Sequence, residues 1–318
     1  MKTILIFDAE NIFCSGYVKN PSLNSQGVPV GGIATILNNI KYSALKYNPV
    51  EVIVVWGGEN GVKNKRKYLP EYKISTAPPK EKRLNRQEYV ATLDNKKIQF
   101  DLLKRIIDCL PVRQICIDDL EGDNTLYLTY LYYKDKADKH IVLSGDKDFY
   151  QMLSKDTIIY KPQKRKEYTI EDFRAEYEIR NPKNFVLYKT LVGDASDKIK
   201  GLHGFGPKSF SKHFEEICLS VGEYTWDMFL SHVQGIEPDD KSLIATQKNI
   251  LQQQDKLKLF YRAIKFWNNG YMSEIKKQLD KPLSFRYNNL LLECSKNGID
   301  NYMIEPLFQV FGTYRRTK

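Results

Sequence analysis

The chain has 318 residues, 42% of them hydrophobic, and 49 Lys and Arg stand against 39 Asp and Glu for a net charge of +10. That apolar content supports a sizeable core and excludes a chain disordered by composition, and no apolar run reaches the length of a membrane-spanning helix. The five cysteines are scattered without CxxC spacing, which excludes the usual zinc motifs and fits free thiols in a reducing compartment.

In chain order, the N-terminal MKTILIFDAEN opens into a strand-like run, Thr3–Phe7, instead of a signal peptide, so a soluble cytoplasmic protein is expected. Ile33–Tyr47 has a helical pattern, and Val52–Trp56 reads as a second buried strand. Residues 59–98 are polar and basic, contain Pro70, Pro78 and Pro79, and read as a mobile functional loop or a disordered segment. Between Lys63 and Arg86, nine basic residues face only Glu71 and Glu81, a charge excess that suits a polyanionic partner. Gln99–Leu110 (helix), Val112–Ile117 (strand), Asn124–Tyr133 (helix) and His140–Leu143 (strand) come next. Strands without polar alternation, separated by helices, argue for an α/β fold with a mostly parallel central sheet covered on both faces. Thr169 and Asp172 are spaced as a capping box. Helical patterns then run to about Asn297, where Asn297-Gly298 reads as a stop, interrupted by the glycine-rich stretch 201–206. The residues from Tyr314 onward read as a basic tail.

The acids have a regular placement. Asp8 directly follows the first strand, Gly57-Gly58-Glu59 the second, Asp118 to Asp123 the third, and Asp146 and Asp148 the fourth. In open α/β sheets functional groups gather at the carboxyl ends of strands. A single Asp there is well explained as a helix cap or turn residue; the whole set is explained less well that way. Glu121 and Asp123, like Asp146 and Asp148, are two apart and belong at loop-to-helix junctions. Asp194 and Asp197, three apart, would face the same way on a helical turn. Phosphodiester hydrolysis needs an activated water and stabilised oxyanions, which two hard cations about 4 Å apart supply. Magnesium prefers oxygen ligands, and the candidates are Asp8, Glu121, Asp123, Asp146, Asp148, Asp194 and Asp197. None of the four histidines has metal-motif spacing.

The segments DAEN (Asp8–Asn11), LPEYK (Leu69–Lys73), LEGDN (Leu120–Asn124), SGDKDFYQML (Ser144–Leu153) and VGDASDKIKGLHGFGPK (Val192–Lys208) occur in an order and spacing that resembles the 5′-nuclease family. That family includes flap endonucleases, bacteriophage 5′-exonucleases of the phage RNase H type and the nuclease domain of bacterial DNA polymerase I. The resemblance covers roughly residues 1–215. It implies a PIN-like α/β nuclease domain over 1–180 with a basic arch at about 59–98, and a helical duplex-binding region over 181–318 with a helix–three-turn–helix at about 190–215.

By the same resemblance, Asp8, Glu121, Asp123, Asp146 and Asp148 are catalytic metal-site carboxylates, and Asp194 and Asp197 complete a second site; the expected ions are two Mg2+, with Mn2+ as a substitute. Lys73 would approach the scissile phosphate, and Tyr72 would stack on a nucleobase. Lys65, Arg66, Lys80, Lys82, Arg83 and Arg86 would line a backbone-tracking arch. Gly201, Gly204, Gly206 and Lys208 would grip duplex phosphates, with a K+ ion at the turn. Two departures stand out. Gly58 occupies a position where most members have aspartate, with Glu59 beside it as a substitute, and Asn124 replaces the second of two adjacent acids, where it would still ligate the metal through its oxygen but without a negative charge and so more weakly. The implied function is a 5′→3′ exonuclease and flap endonuclease acting on branched or 5′-ended duplex DNA or RNA–DNA in primer removal or repair, as a monomer working beside replication proteins and away from membranes. The alternatives are a catalytically weakened junction-binding protein on the same fold and a related ribonuclease.

Overall fold

The structure, a computed structural model, describes residues 1–74, 86–237, 241–268 and 270–311, with the backbone alone over 86–93. Lys80, Lys82, Arg83, the side chain of Arg86 and the tail from Tyr314 therefore lie outside the described residues.

The chain begins with β1 (Thr3–Asp8), α1 (Ala9–Lys19), α2 (Gly31–Tyr47) and β2 (Glu51–Trp56). It continues through α3 (Gly61–Arg66), α4 (Arg86–Asp108), β3 (Arg113–Cys116), α5 (Gly122–Tyr133) and β4 (Lys139–Leu143). A 3₁₀ turn at Lys147–Met152 leads to β5 (Thr157–Lys161) and β6 (Lys166–Tyr168). The rest is helical: α6 (Ile170–Tyr177), α7 (Phe185–Val192), α8 (Pro207–His213), α9 (Glu215–Leu219), α10 (Trp226–Gly235), α11 (Lys241–Gln252), α12 (Gln254–Ile264), α13 (Met272–Leu279), α14 (Tyr287–Lys296) and α15 (Asn301–Phe311).

The six strands form one sheet in the order β3-β2-β1-β4-β5-β6. All pairs are parallel except β5 with β6. Because β1 pairs with both β2 and β4, the winding reverses between β1 and β4, and the loops after these two strands diverge there and leave a crevice.

Alternate residues of each strand point to opposite faces. Ile4 and Ile6 join one core layer, while Leu5 and Phe7 join the other. Both faces are buried, which is why the strands read as unbroken apolar runs. Helix α5 contributes Leu126 and Leu128 to the first layer, where α7, α12 and α13 also pack. Helices α2, α4, α14 and α15 cover the other face. The helices beyond residue 181 thus supply core to both layers. Each fully buried Leu, Ile or Phe among them contributes roughly 1.5–3 kcal/mol.

At the sheet edge, Gln278 of α13 accepts from the Cys116 N–H (3.1 Å) and donates to the Cys116 carbonyl (2.8 Å). One side chain thereby closes part of an edge strand that would otherwise present open backbone groups.

The expected strands and helices occur, with boundaries moved by a few residues at most strand ends. The expected capping box is formed between Thr169 and Asp172, and Gly298 adopts φ +65 after α14. Three readings need correction. The stretch 59–98 contains α3 and the first half of α4, so it is largely helical where described; these polar turns lack the core-facing periodicity that announces a helix. Strands β5 and β6 extend the sheet beyond the four expected. The stop at Asn297-Gly298 ends α14 but not the helical region, because α15 comes after it and buries Ile304 and Leu307.

Candidate metal centre

At the reversal point, β1 ends on Asp8, which also caps α1 by accepting from the Asn11 N–H (3.3 Å). Its second oxygen accepts from Ser144 Oγ (2.7 Å), at the end of β4. Ser144 Oγ accepts in turn from the Asp146 N–H (3.0 Å), and the Asp146 carboxylate accepts from the Asp148 N–H (2.9 Å), capping the 3₁₀ turn. Asn11 Oδ1 accepts from the Gly145 N–H (3.0 Å) and ties the same two loops together. Strand ends and caps coincide here, so the acids are held by backbone geometry.

Glu121 sits at the N-cap position of α5, with Asp123 in its first turn. Its two oxygens meet Lys73 Nζ (2.7 Å) and Lys65 Nζ (2.5 Å), and Lys65 also reaches Asp123 (3.5 Å). Asp194 and Asp197 come from the segment after α7. The Asp194–Ile199 backbone bridge closes it into a tight turn, with Lys198 at φ +62. The expectation of a helical turn is corrected: α7 ends at Val192, and the pair converges through the bridge. Asp148, Asp194 and Asp197 each bring an oxygen within 4.8 Å of the others. Lys189, on α7, bonds to both Asp148 and Asp194 and is 6% exposed.

Seven acids thus meet three ammonium groups in a buried space, and the excess negative charge shows in their proton affinities. Burial, with repulsion from Asp146 and Asp123, pushes Asp8 up to about 7 against the Ser144 hydrogen bond. Burial and Asp146 push Asp148 up to about 7 against the pull of Lys189. Burial, with Asp148 and Asp194, lifts Asp197 to about 6 against Lys73. Burial also raises Asp146. Burial opposes the charge on Glu121 too, but Lys65 and Lys73 outweigh it and hold that carboxyl low. The three lysines are raised, their burial overcome by neighbouring carboxylates. An all-carboxylate donor set suits a hard divalent cation, and the ammonium groups already mark where positive charge is stabilised.

Lys73 sits at φ +52, a backbone region costly for a side-chain-bearing residue. Arg66 holds the turn by donating to the carbonyls of Tyr72 (2.9 Å) and Lys73 (3.1 Å), and the Lys73 N–H donates to the Asp197 carbonyl (3.2 Å).

Three expected nucleic-acid contacts are corrected by this geometry. Tyr72 is fully buried, its hydroxyl donating to Glu121 (3.0 Å), with Asp197 at 3.3 Å, and with the Lys65 and Lys73 ammonium groups each 5.1 Å from its ring. It offers no face to a base in this arrangement and braces the carboxylates instead. Lys65 is inside the cluster, and Arg66 is spent on the turn. Sequence reasoning missed Lys189 and Ser144. A lysine inside the apolar helix FVLYKTLV, five residues before Asp194, was the available signal.

The two departures have structural counterparts. A Cβ at Gly58 would lie 2.1 Å from the Ile117 carbonyl oxygen and 2.4 Å from that of Asp118, so the 117–121 loop fills the space a side chain would need. Glu59 is exposed, its charge felt at Cys116, and it makes no hydrogen bond to the cluster. Asn124 is 4% exposed, and its Oδ1 has no hydrogen-bond partner.

Residues 193–206 join α7 to α8. Gly201 has φ +63, and a Cβ there would lie 2.5 Å from the Leu191 carbonyl oxygen, so the turn needs glycine. Gly204 and Gly206 have open space beside them, and Lys208 is exposed in the first turn of α8.

Residues 3–178 match the family described as 5′-3′ exonuclease, N-terminal resolvase-like domain. The 5′-3′ exonuclease of Bacillus subtilis is 29% identical over 218 residues, 67% of this chain and 67% of that protein. DNA polymerase I of Caldicellulosiruptor bescii is 26% identical over 223 residues, 67% of this chain but only 24% of the polymerase. Two solved structures of the T5 enzyme share the fold. One, a 5′-exonuclease with divalent metal ions (zinc) bound, has a TM-score of 0.65 at 17% identity and covers 93% of this chain and 98% of its own. The other, a D15 flap endonuclease complex with DNA and metal ions, has a TM-score of 0.64 at 16% identity and covers 96% and 99%.

Proposed function

The chain belongs to the 5′-3′ exonuclease family, and from that premise we propose that it hydrolyses phosphodiesters at the 5′ ends and junctions of branched DNA or RNA–DNA. The observation that carries this reading is the convergence of seven acids, from three strand ends and the 193–199 turn, with Lys65, Lys73 and Lys189 among them. Asp8, Glu121, Asp123, Asp146 and Asp148 would hold one Mg2+, and Asp194 and Asp197 would share a second with Asp148. When bound, Mg2+ or Mn2+ supplies an activated water and neutralises charge on the reacting phosphate. Lys73, at 34% side-chain exposure, is the most accessible of the three clustered cations and the one placed to meet a phosphate oxygen. Tyr72 and Lys189 position acids and touch no substrate. Gly204, Gly206 and Lys208 would contact the duplex backbone, and a K+ ion would bind at the same turn. The expected setting is the cytoplasm, with the chain acting as a monomer in primer removal or repair.

Cleavage of a 5′-labelled flap duplex with Mg2+, then Mn2+, tests this for the chain and for Asp146→Ala. Metal-dependent cutting near the junction, abolished in the variant, is expected. Tight binding without cutting in either metal would leave a junction-binding protein on a nuclease fold, the reading that Gly58 and Asn124 favour.

A further inference from the structure

Beside the carboxylate centre, and sharing Glu121 and Lys65 with it, lies a cleft of about 980 Å³ between α3, the 119–121 loop, α10 and α12, large enough for a nucleotide. One wall is aromatic, with Tyr68 half-buried and Trp267 38% exposed. The Arg262 guanidinium lies 4.5 Å from the centre of the Tyr68 ring. Neither Arg262 nor Lys67, both exposed on the cleft, forms an ion pair with a carboxylate among the described residues.

We propose that this cleft is a nucleotide subsite in which one base packs against Tyr68, Trp267 and Arg262 and the phosphate of the same nucleotide meets Lys67 and Arg262. Aromatic and guanidinium planes accept any base face, while the cations suit the phosphate. This rests on the nuclease reading for its context, since Glu121, which accepts from Lys73, also lines the cleft, and a strand held at Lys73 passes beside it. The occupant is a nucleoside monophosphate unit, either within that strand or free as product.

The test uses the full chain in EDTA, titrated with dAMP and monitored by tryptophan fluorescence. Trp226 and Trp267 line the cleft, and the remaining tryptophan, Trp56, is buried in the sheet. Saturable quenching is expected, weakened about tenfold by Arg262→Ala and unchanged by Asp146→Ala. Arg262 is exposed on α12, so its truncation leaves the core intact. A second arm walks one abasic position along the flap strand. A nucleotide bound within the strand raises KM at one position in the unsubstituted chain but not in Arg262→Ala. A free product shows no such position and appears instead as competitive inhibition by dAMP. Cleavage that proceeds with no quenching, no abasic effect and no inhibition overturns the subsite and leaves the nuclease. Quenching without cleavage of any substrate overturns the nuclease reading and leaves the subsite.

Discussion

Asp8, Asp148 and Asp197 show what it costs to gather carboxylates in a buried crevice. Asp8 and Asp197 have folded-state values of about 7 and about 6 against an ordinary 3.8. The folded chain therefore holds protons that the unfolded chain releases, so stability falls as pH rises. Their contribution is present in full below the unfolded value and is lost as pH climbs through about 6 to about 7. In a chelator, the melting temperature is expected to fall between about pH 5 and about pH 8, and added Mg2+ to restore it mainly at the upper end. A melting temperature that does not fall over that range would show that the acids are not protonated in the folded chain. Gly58 makes a different prediction. Because a Cβ there meets two backbone carbonyls, Gly58→Asp is expected to lose about 1–3 kcal/mol in urea unfolding without raising the cleavage rate. A faster, equally stable variant would mean that the 117–121 loop yields easily.

At the level of elements, caps and edges carry the positions. Asp8 and Asp146 are oriented because each also caps a helix or turn, so structure and chemistry draw on the same residues. The β3 edge depends on α13 through Gln278. Gln278→Leu keeps the volume but strands the Cys116 N–H and carbonyl, and a loss of about 1–3 kcal/mol is expected from urea unfolding. Loss of the contact should also loosen the packing of α13 on α5, which bears Asp123, so Mg2+ affinity provides a second readout. An unchanged midpoint would mean that water satisfies both groups.

For the whole molecule, charge is divided between a basic exterior and an acidic crevice. With +10 overall, binding to branched DNA is expected to be salt-dependent. If about four phosphates are neutralised, affinity falls about 10²-fold between roughly 50 and 200 mM salt. Titration of Asp146→Ala with flap DNA in Ca2+ isolates binding from cutting; a flat salt response would mean that the basic surface does not face the duplex.

The sheet and the acids after its strands were legible in the sequence because both are local: a buried strand must be continuously apolar, and an acid directly after it caps the next helix or turn. The pairing of Asp148 with Asp194 and Asp197 was legible only in part, since the acids stand in recognisable motifs but their meeting depends on the 194–199 bridge. Tyr72 and Lys65 read as ligand-facing because composition reports charge and aromaticity, not direction. Folding turned both inward, where seven carboxylates needed neutralising donors. Lys189 is the same lesson in reverse, an ion hidden in an apolar helix. Local periodicity and capping set the scaffold and its candidate acids; which cations reach solvent was decided by tertiary packing, because burial and partner choice depend on segments far apart in the chain.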